Sequence, residues 1–358
     1  AALCGYGGDS AGRREAMSGG WISCLRSLSG ILLTVCGLLL SAQTVGGQEP
    51  VEEKRQRFEI VAGTWFSAGD THWAHNATSA SPLLGNPSSK LTYKDVGTTV
   101  FDVAGTYWFT PRWFGRLNVG VGGIGGGRLT DDDYLAADGG NPSSRTISNL
   151  NGDGMIYLNA DVGGRVKSFA NHRGWLDLFG GFQYWHTQYS AIGLGQVTCT
   201  TAGSTTNLGG GNFLCNPVGT PSSVGSGTNV ITNTTNWYSI RLGGKVEYRL
   251  TRELSLLGSV ALLPISILDN KDVHHLRTDL QQNPSISMVG FGIGADADAG
   301  LKYMFTKNVG LNLGYRVWWN RMLDGTATFH GTTGSSNYPL TQFQSVRQGV
   351  TLGLNLTF

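Results

Sequence analysis

The sequence lacks a hydrophobic run long enough to cross a membrane as a helix. Its most apolar segment, 31–40, has ten residues, whereas a membrane-spanning helix needs about 20. Charge is also scarce, because charged residues make up 14% of the chain and the net charge is +2. These two absences exclude a helical membrane protein and give no indication of nucleic-acid binding.

Cysteine is scarce as well, with five in 358 residues, and three of the five precede residue 37. Cys199 and Cys215 remain, inside one stretch that is rich in glycine, serine and threonine. In an oxidising compartment, two cysteines in one loop predict a disulfide, and two free thiols are the alternative.

The beginning of the chain indicates export. From Met17, a short segment containing Arg26 precedes the apolar run, and small residues follow it. This order is typical of a secretory signal peptide. We therefore expect 17–47 to be a signal peptide, 1–16 to lie upstream of the true start, and 48–358 to form a single domain.

The last nine residues alternate between apolar and polar side chains. Because successive side chains of a strand point to opposite faces, Val350 and Leu352 share an apolar face while Thr351 and Asn355 share a polar one. A terminal strand of this kind, with Phe358 last, resembles the segment that outer-membrane barrels present to the barrel-assembly machinery. If its apolar face meets outer-membrane lipid, the chain must close into a barrel whose polar face lines the lumen.

The same alternation recurs along the chain and predicts an all-β, ten-stranded antiparallel transmembrane β-barrel of the bacterial outer membrane. Short turns are expected at one end and long, polar, extracellular loops at the other. A soluble β-sandwich is the alternative, but its strands would be shorter. The expected strands are 57–73, 89–110, 113–129, 152–169, 175–196, 235–250, 254–272, 285–305, 309–323 and 343–358. The expected long loops are 74–88, 130–151, 197–234, 273–284 and 324–342.

Two polar clusters stand at the loop ends of predicted strands. Asp131 and Asp133 follow the third strand, and Asp272 and His274 end the seventh. Residues two apart share a face of a strand, so each pair can point into the barrel. Taken alone, each pair is as well explained by a solvated loop or a structural contact.

The two pairs also reach the same height. Asp131 lies 20 residues beyond Pro111, and Asp272 lies 19 beyond Glu253, and both counts start in short turns. The two strands are roughly opposite in a ring of ten, so the pairs should face each other across the barrel mouth. A carboxylate pair can hold and polarise a water while an aspartate-oriented imidazole accepts its proton. This combination predicts peptide hydrolysis without a covalent intermediate.

Taken together, these features resemble the omptin family of outer-membrane proteases. The resemblance rests on the ten strands, the terminal Phe358, the segment Ser-Lys-Leu-Thr-Tyr-Lys at 89–94, and the order and spacing of the two clusters, and it spans 58–358. It implies a peptide or protein substrate, and lipopolysaccharide as a possible activator. No metal and no other cofactor are expected.

The resemblance also implies a role for each residue of the clusters. Asp131 and Asp133 would hold the catalytic water, His274 would be the general base, and Asp272 would orient it. Omptins that cleave beside basic residues carry acidic side chains in the pocket for that residue. At the corresponding places this chain has the candidate substrate-binding residues His72 and Asn270, so a preference for basic residues is not implied.

The alternative function is a non-enzymatic outer-membrane barrel, such as a catalytically retired omptin relative, an adhesin or a narrow pore. A ten-stranded barrel leaves little free lumen, and we expect charged inward faces to fill it. The ten tryptophans and twelve tyrosines fit girdles at the membrane interfaces.

Overall fold

The computed structural model of the chain describes residues 57–152, 154–200 and 223–358. The predicted signal peptide, the segment before it and Cys215 lie outside the described residues. None of the described segments forms a helix that is long and apolar enough to cross a membrane. The strands are β1 (Phe58–His75), β2 (Leu84–Trp108), β3 (Trp113–Leu135), β4 (Ser144–Asn151), β5 (Gly154–Phe169), β6 (Gly174–Cys199), β7 (Ser223–Arg249), β8 (Leu254–His274), β9 (Ile286–Met304), β10 (Val309–Gly331) and β11 (Gly334–Thr357).

The strands form one antiparallel sheet that closes on itself. β1 pairs with β2 on one side and with β11, the last strand, on the other. β4 and β5 lie end to end, since both pair with β3 on one side and β6 on the other. The eleven strands therefore make a ring of ten, and the predicted strand number is confirmed.

The barrel has two distinct ends. At the turn end, the short connections 109–112, 170–173, 250–253 and 305–308 join the strands. At the opposite, loop end, residues 76–83 and 275–285 lie between strands, close to the predicted loops 74–88 and 273–284. The other three predicted loops contain strand, because β3 includes 130–135, β4 is 144–151, β7 includes 223–234, and β10 and β11 cover 324–342 apart from a two-residue turn. These strand segments contain many polar side chains, so the alternation of a membrane strand is weak in them, although Leu150, Ile231 and Leu340 are buried. Their backbone hydrogen bonds form regardless, because the ladder does not depend on side-chain polarity.

Exposed apolar side chains form a belt around the outside of the barrel near the turn end. This belt is the surface expected of strands that meet lipid. Exposed aromatic rings, Tyr107, Trp113, Tyr303 and Phe305, border it at the turns, as expected of an interfacial girdle. Members of the belt include Val103, Leu117, Val162, Leu178, Leu242, Leu262, Leu313 and Leu352.

Ion pairs fill the lumen at the height of the belt. Arg241 lies 2.9 Å from a carboxylate oxygen of Asp161 and 3.2 Å from one of Asp296. Arg316 lies 2.7 Å from Asp298 and 3.0 Å from Asp102. Each buried cation is thus flanked by two carboxylates from other strands, which fixes several strands in register at once.

An aromatic layer lies above these ion pairs, towards the loop end. It consists of the buried rings of Trp65, Tyr157, Trp185 and Trp318, whose centroids lie 4.8–6.4 Å apart along its contacts. The expectation that charged side chains fill the lumen therefore holds at the level of the ion pairs and not above them, where aromatic rings take their place. Aromatic rings fill part of the lumen because these strands place tryptophan and tyrosine, rather than charge, at inward positions.

The loop end of β6 carries a disulfide. Cys199, the last residue of β6, is disulfide-bonded. Cys215 lies outside the described residues, so the pairing of Cys199 with Cys215 stays a prediction.

Candidate active site at the loop end

Asp131 and Asp133 project into the lumen from the loop end of β3. They share a strand face with Leu129 and Leu135, which are both buried. Ser89 of β2 lies opposite Asp133 in the register, and its hydroxyl donates a hydrogen bond of 3.4 Å to Oδ1 of Asp131. The two carboxylates are therefore held side by side beneath the rim.

Asp272 and His274 project into the lumen from the loop end of β8. The Asp272 side chain is fully buried, and the His274 side chain is 14% exposed. Nε2 of His274 lies 3.7 Å from Oδ2 of Asp272, slightly beyond a hydrogen bond but within reach of one after a small adjustment. The backbone N–H of His274 donates to the hydroxyl of Ser285 at 3.0 Å, which anchors the strand end.

The two pairs interact across the barrel mouth. Burial raises the pKa of Asp131 well above its usual range, and the carboxylates of Asp133 and Asp272 raise it further. Burial also raises the pKa of Asp133, against the lowering effects of Ser89, Arg277 and His274. Asp131 therefore keeps its proton at pH values where an exposed aspartate has lost it, and the charges of Asp272 and His274 reach the carboxylates of β3.

Replacing Asp131 with asparagine should make the barrel harder to unfold at neutral pH. An acid whose folded-state pKa is raised contributes stability below its unfolded-state pKa and loses it as the pH rises through the folded-state pKa. Asparagine is neutral at every pH. The free energy of unfolding of the variant should therefore exceed that of the wild type at about pH 8 and equal it at about pH 3. Urea unfolding in lipid at both pH values measures it.

The matched control for this prediction is Asp132→Asn. Asp132 lies on the opposite face of β3 and forms a two-bonded ion pair with Arg145, at 2.6 and 2.9 Å. Its replacement removes that pair and should give no gain at high pH. An equal gain for Asp131→Asn at both pH values would contradict the assignment of a raised pKa.

The two candidate substrate-binding residues lie on different faces of the barrel wall. His72 lies on the outer face of β1, opposite to Thr71 and Trp73, and contacts the side chain of Gln342 at 2.9 Å. The prediction that His72 lines the pocket is therefore wrong, because residues of a strand alternate between faces. Asn270 does face the lumen, on the same side of β8 as Asp272, and is fully buried.

Asn270 belongs to a neutral hydrogen-bond network beside the site. Its side-chain amide donates to Oδ1 of Asn233 at 3.0 Å and to the hydroxyl of Thr235 at 2.8 Å. Asn233 donates back to Oδ1 of Asn270 at 3.2 Å. The polar groups of Asn270 are thus satisfied by neutral partners, and Asn270 brings no negative charge to the wall beside Asp272.

Three further residues at the site were not assigned from the sequence. His75 is buried, contacts Phe329 through its ring, and has a pKa lowered to about 4 by burial and by His274. Arg277, just beyond β8, acts on Asp133, and Tyr93 lies beneath the two pairs. Their positions follow from the register of neighbouring strands, which alternation within one strand does not reveal.

The histidine next to the site faces away from it. His275 is exposed, and its Nε2 lies 2.9 Å from the hydroxyl of Thr232. This placement matches the alternation of β8, in which His274 and His275 project to opposite faces.

Comparisons with known proteins bear on the fold. No protein-family model matches the chain, and no curated protein matches it in sequence. Among solved structures, it resembles the outer membrane protease OmpT from Escherichia coli, with a TM-score of 0.65, 15% identity, and coverage of 89% of this chain and 100% of that one. The translocator domain of the autotransporter NalP from Neisseria meningitidis matches with a TM-score of 0.35, 12% identity and coverage of 94% and 98%. Ail of Yersinia pestis matches with a TM-score of 0.26, 10% identity and coverage of 85% and 100%.

The likeness to OmpT shows the fold. The chain is an all-β, antiparallel transmembrane β-barrel of the bacterial outer membrane, as predicted. At 15% identity, the likeness to OmpT carries no assignment of activity, which depends on the geometry of the loop end.

Proposed function

We propose that the chain is an omptin-like endopeptidase that hydrolyses peptide bonds at the loop end of the barrel, on the extracellular side. One observation carries the proposal: the carboxylate pair of β3 and the Asp–His couple of β8 act on each other inside one mouth. Neither pair suffices alone. Together they supply a place to hold a water and a base to take its proton.

In this mechanism Asp131 and Asp133 hold the water. Because burial favours the protonated form of Asp131, the pair can donate one hydrogen bond to the water and accept another. Asp272 holds one ring nitrogen of His274, and the other nitrogen accepts a proton as the water oxygen attacks the peptide carbonyl. The imidazolium then returns the proton to the departing amine, and no covalent intermediate forms.

The substrate side chain next to the cleaved bond is proposed to be uncharged. A basic side chain would need a carboxylate partner when it is desolvated. The wall beside Asp272 offers the neutral amides of Asn270 and Asn233 instead, and His72 lies outside the lumen. Lipopolysaccharide is proposed as an activator, on the family resemblance alone.

The second candidate function is a non-enzymatic barrel that retains the omptin fold. The separation of 3.7 Å between His274 and Asp272, longer than a hydrogen bond, favours this reading. A narrow pore is disfavoured, because within the described residues the aromatic layer and the ion pairs fill the lumen. A catalytically retired relative or an adhesin remains the alternative to the protease.

Cleavage of a randomised peptide pool distinguishes the two candidates. The refolded protein is incubated with the pool, with and without lipopolysaccharide, and the products are identified by mass spectrometry. Internal cleavage by the wild type, and none by the Asp131→Asn/Asp133→Asn double variant, is the expected result. Intact peptides in every wild-type reaction would overturn the protease in favour of the non-enzymatic barrel.

A further inference from the structure

Tyr93 is a buried tyrosine to which the proposed mechanism gives no role. It lies on β2, has 0% of its surface exposed, and faces the lumen opposite Thr71 of β1 and Leu129 of β3. Its ring stacks on Tyr189 of β6, with 5.1 Å between ring centroids. The stack fixes the direction of the hydroxyl, because the ring cannot turn without breaking its contact with Tyr189.

The hydroxyl of Tyr93 has no hydrogen-bond partner among the described residues. The hydroxyl of the stacked Tyr189, by contrast, lies 3.2 Å from that of Thr71. A buried, unpaired hydroxyl lowers the stability of a folded protein, so its presence calls for an explanation.

Tyr93 lies one inward-facing position below the carboxylate pair, because its partner in the register is Leu129, which shares the inner face of β3 with Asp131. Burial raises the pKa of the Tyr93 hydroxyl well above the usual value, and the carboxylates of Asp272 and Asp131 raise it further. Asp272 belongs to β8 and Asp131 to β3, so the hydroxyl meets the fields of both pairs. It therefore keeps its proton and stays a hydrogen-bond donor wherever the enzyme could work.

We propose that Tyr93 donates a hydrogen bond to the oxyanion that forms when water attacks the carbonyl carbon of the substrate. This role rests on the proposed function. A rigid, dry donor aimed at the place where negative charge develops is what electrostatic stabilisation of an oxyanion requires. Because that charge exists only during the reaction, the donor has no partner in the resting protein.

The step balances without any further reactant. The water oxygen forms a bond to the carbonyl carbon, the π electrons of the carbonyl move onto its oxygen, and one water proton passes to His274. Tyr93 keeps its own proton and donates it in a hydrogen bond to the new oxyanion. When the carbon–nitrogen bond breaks, the carbonyl re-forms and the proton moves from His274 to the amine.

The test is Tyr93→Phe, which keeps the ring and its stack but removes the hydroxyl. On a peptide that the wild type cleaves, we expect kcat to fall about 10²-fold, with KM nearly unchanged. The fall should be the same at every pH, because the neutral hydroxyl does not titrate in the working range. The resistance of the barrel to urea should be unchanged or higher, because the lost group is buried and unpaired.

Tyr157→Phe is the matched control, a buried tyrosine of the aromatic layer that is hydrogen-bonded to the ion pairs below it. Its hydroxyl donates to Asp102 at 2.7 Å and accepts from Arg316 at 2.9 Å, so its loss should lower stability and leave kcat near that of the wild type. The two variants therefore separate an effect on the reaction from an effect on the fold.

The remaining outcomes distinguish this role from the proposed function. If Tyr93→Phe keeps wild-type kcat while His274→Ala is inactive, the role of Tyr93 is wrong and the protease stands. If Tyr93→Phe shifts the pH profile or weakens the barrel, the hydroxyl acts on Asp272 or on the fold, and the oxyanion role is overturned. If the wild type cleaves no peptide, both proposals fail together.

Discussion

Replacing His274 with alanine should remove most peptide cleavage and leave the barrel folded. General-base catalysis contributes about 10²–10⁴-fold to a rate, so kcat should fall by a factor in that range. The fold should survive because Nε2 of His274 has no hydrogen-bond partner among the described residues, and the strand end is held through its backbone by Ser285. Initial rates on a peptide identified from the pool, with heat-modifiable gel migration as the test of folding, measure both effects.

His275→Ala is the matched control for His274→Ala. It removes an imidazole one residue away that is exposed, faces the outside and contacts Thr232. Its turnover should stay within a small factor of the wild type. Equal rates for the wild type and His274→Ala would remove His274 from the mechanism, and a large loss in His275→Ala would show that the assay responds to the loop rather than to the site.

Replacing Arg241 with methionine should cause a large loss of stability. The guanidinium is almost fully buried between Asp161 and Asp296, which are buried as well. Without it, two carboxylates lie in the lumen with no cation between them. Removing one partner of a buried ion pair costs about 3–5 kcal/mol in free energy of unfolding. The urea midpoint of the refolded barrel in lipid vesicles measures the loss.

Two further variants show whether charge is the cause. Arg252→Met, in an exposed turn, should leave the midpoint unchanged. The triple variant Arg241→Met/Asp161→Asn/Asp296→Asn should recover much of the loss, because it removes the uncompensated charges along with their partner. If the triple variant is no more stable than Arg241→Met, lost packing rather than unpaired charge explains the effect.

The strands near the turn end could be predicted from the sequence because residues that face lipid must be apolar, while the alternate residues that face the lumen can be polar. The terminal strand is the clearest case: Val350, Leu352 and Leu354 are exposed on the outside, while Asn355 faces inward and is fully buried. At the loop end this contrast disappears, since water can cover both faces. The segment 324–342 therefore looked like a loop although it forms a hairpin of β10 and β11.

The candidate site was predictable where it depended on one strand and unpredictable where it depended on several. The spacing of Asp131 with Asp133, and of Asp272 with His274, places each pair on one face of a single strand. His72 lies on the outer face of β1, and a shift of one residue in a strand exchanges the inside for the outside. Tyr93 and His75 were missed because their position beside the pairs depends on the register of β1 and β2, which no local pattern encodes.

Because the aromatic layer fills the lumen beneath the site, the site is open only towards the loop end of the barrel. In the proposed protease, substrate, product and protons enter and leave through the same mouth. The protonation of Asp131 and Asp133 then follows the pH of one compartment only, whatever the pH across the membrane. The rings of Trp65, Trp185 and Trp318 also hold the ion pairs of Arg241 and Arg316 apart from the site. Substitutions among the ion pairs can therefore change the stability of the barrel without changing the geometry of the site above them.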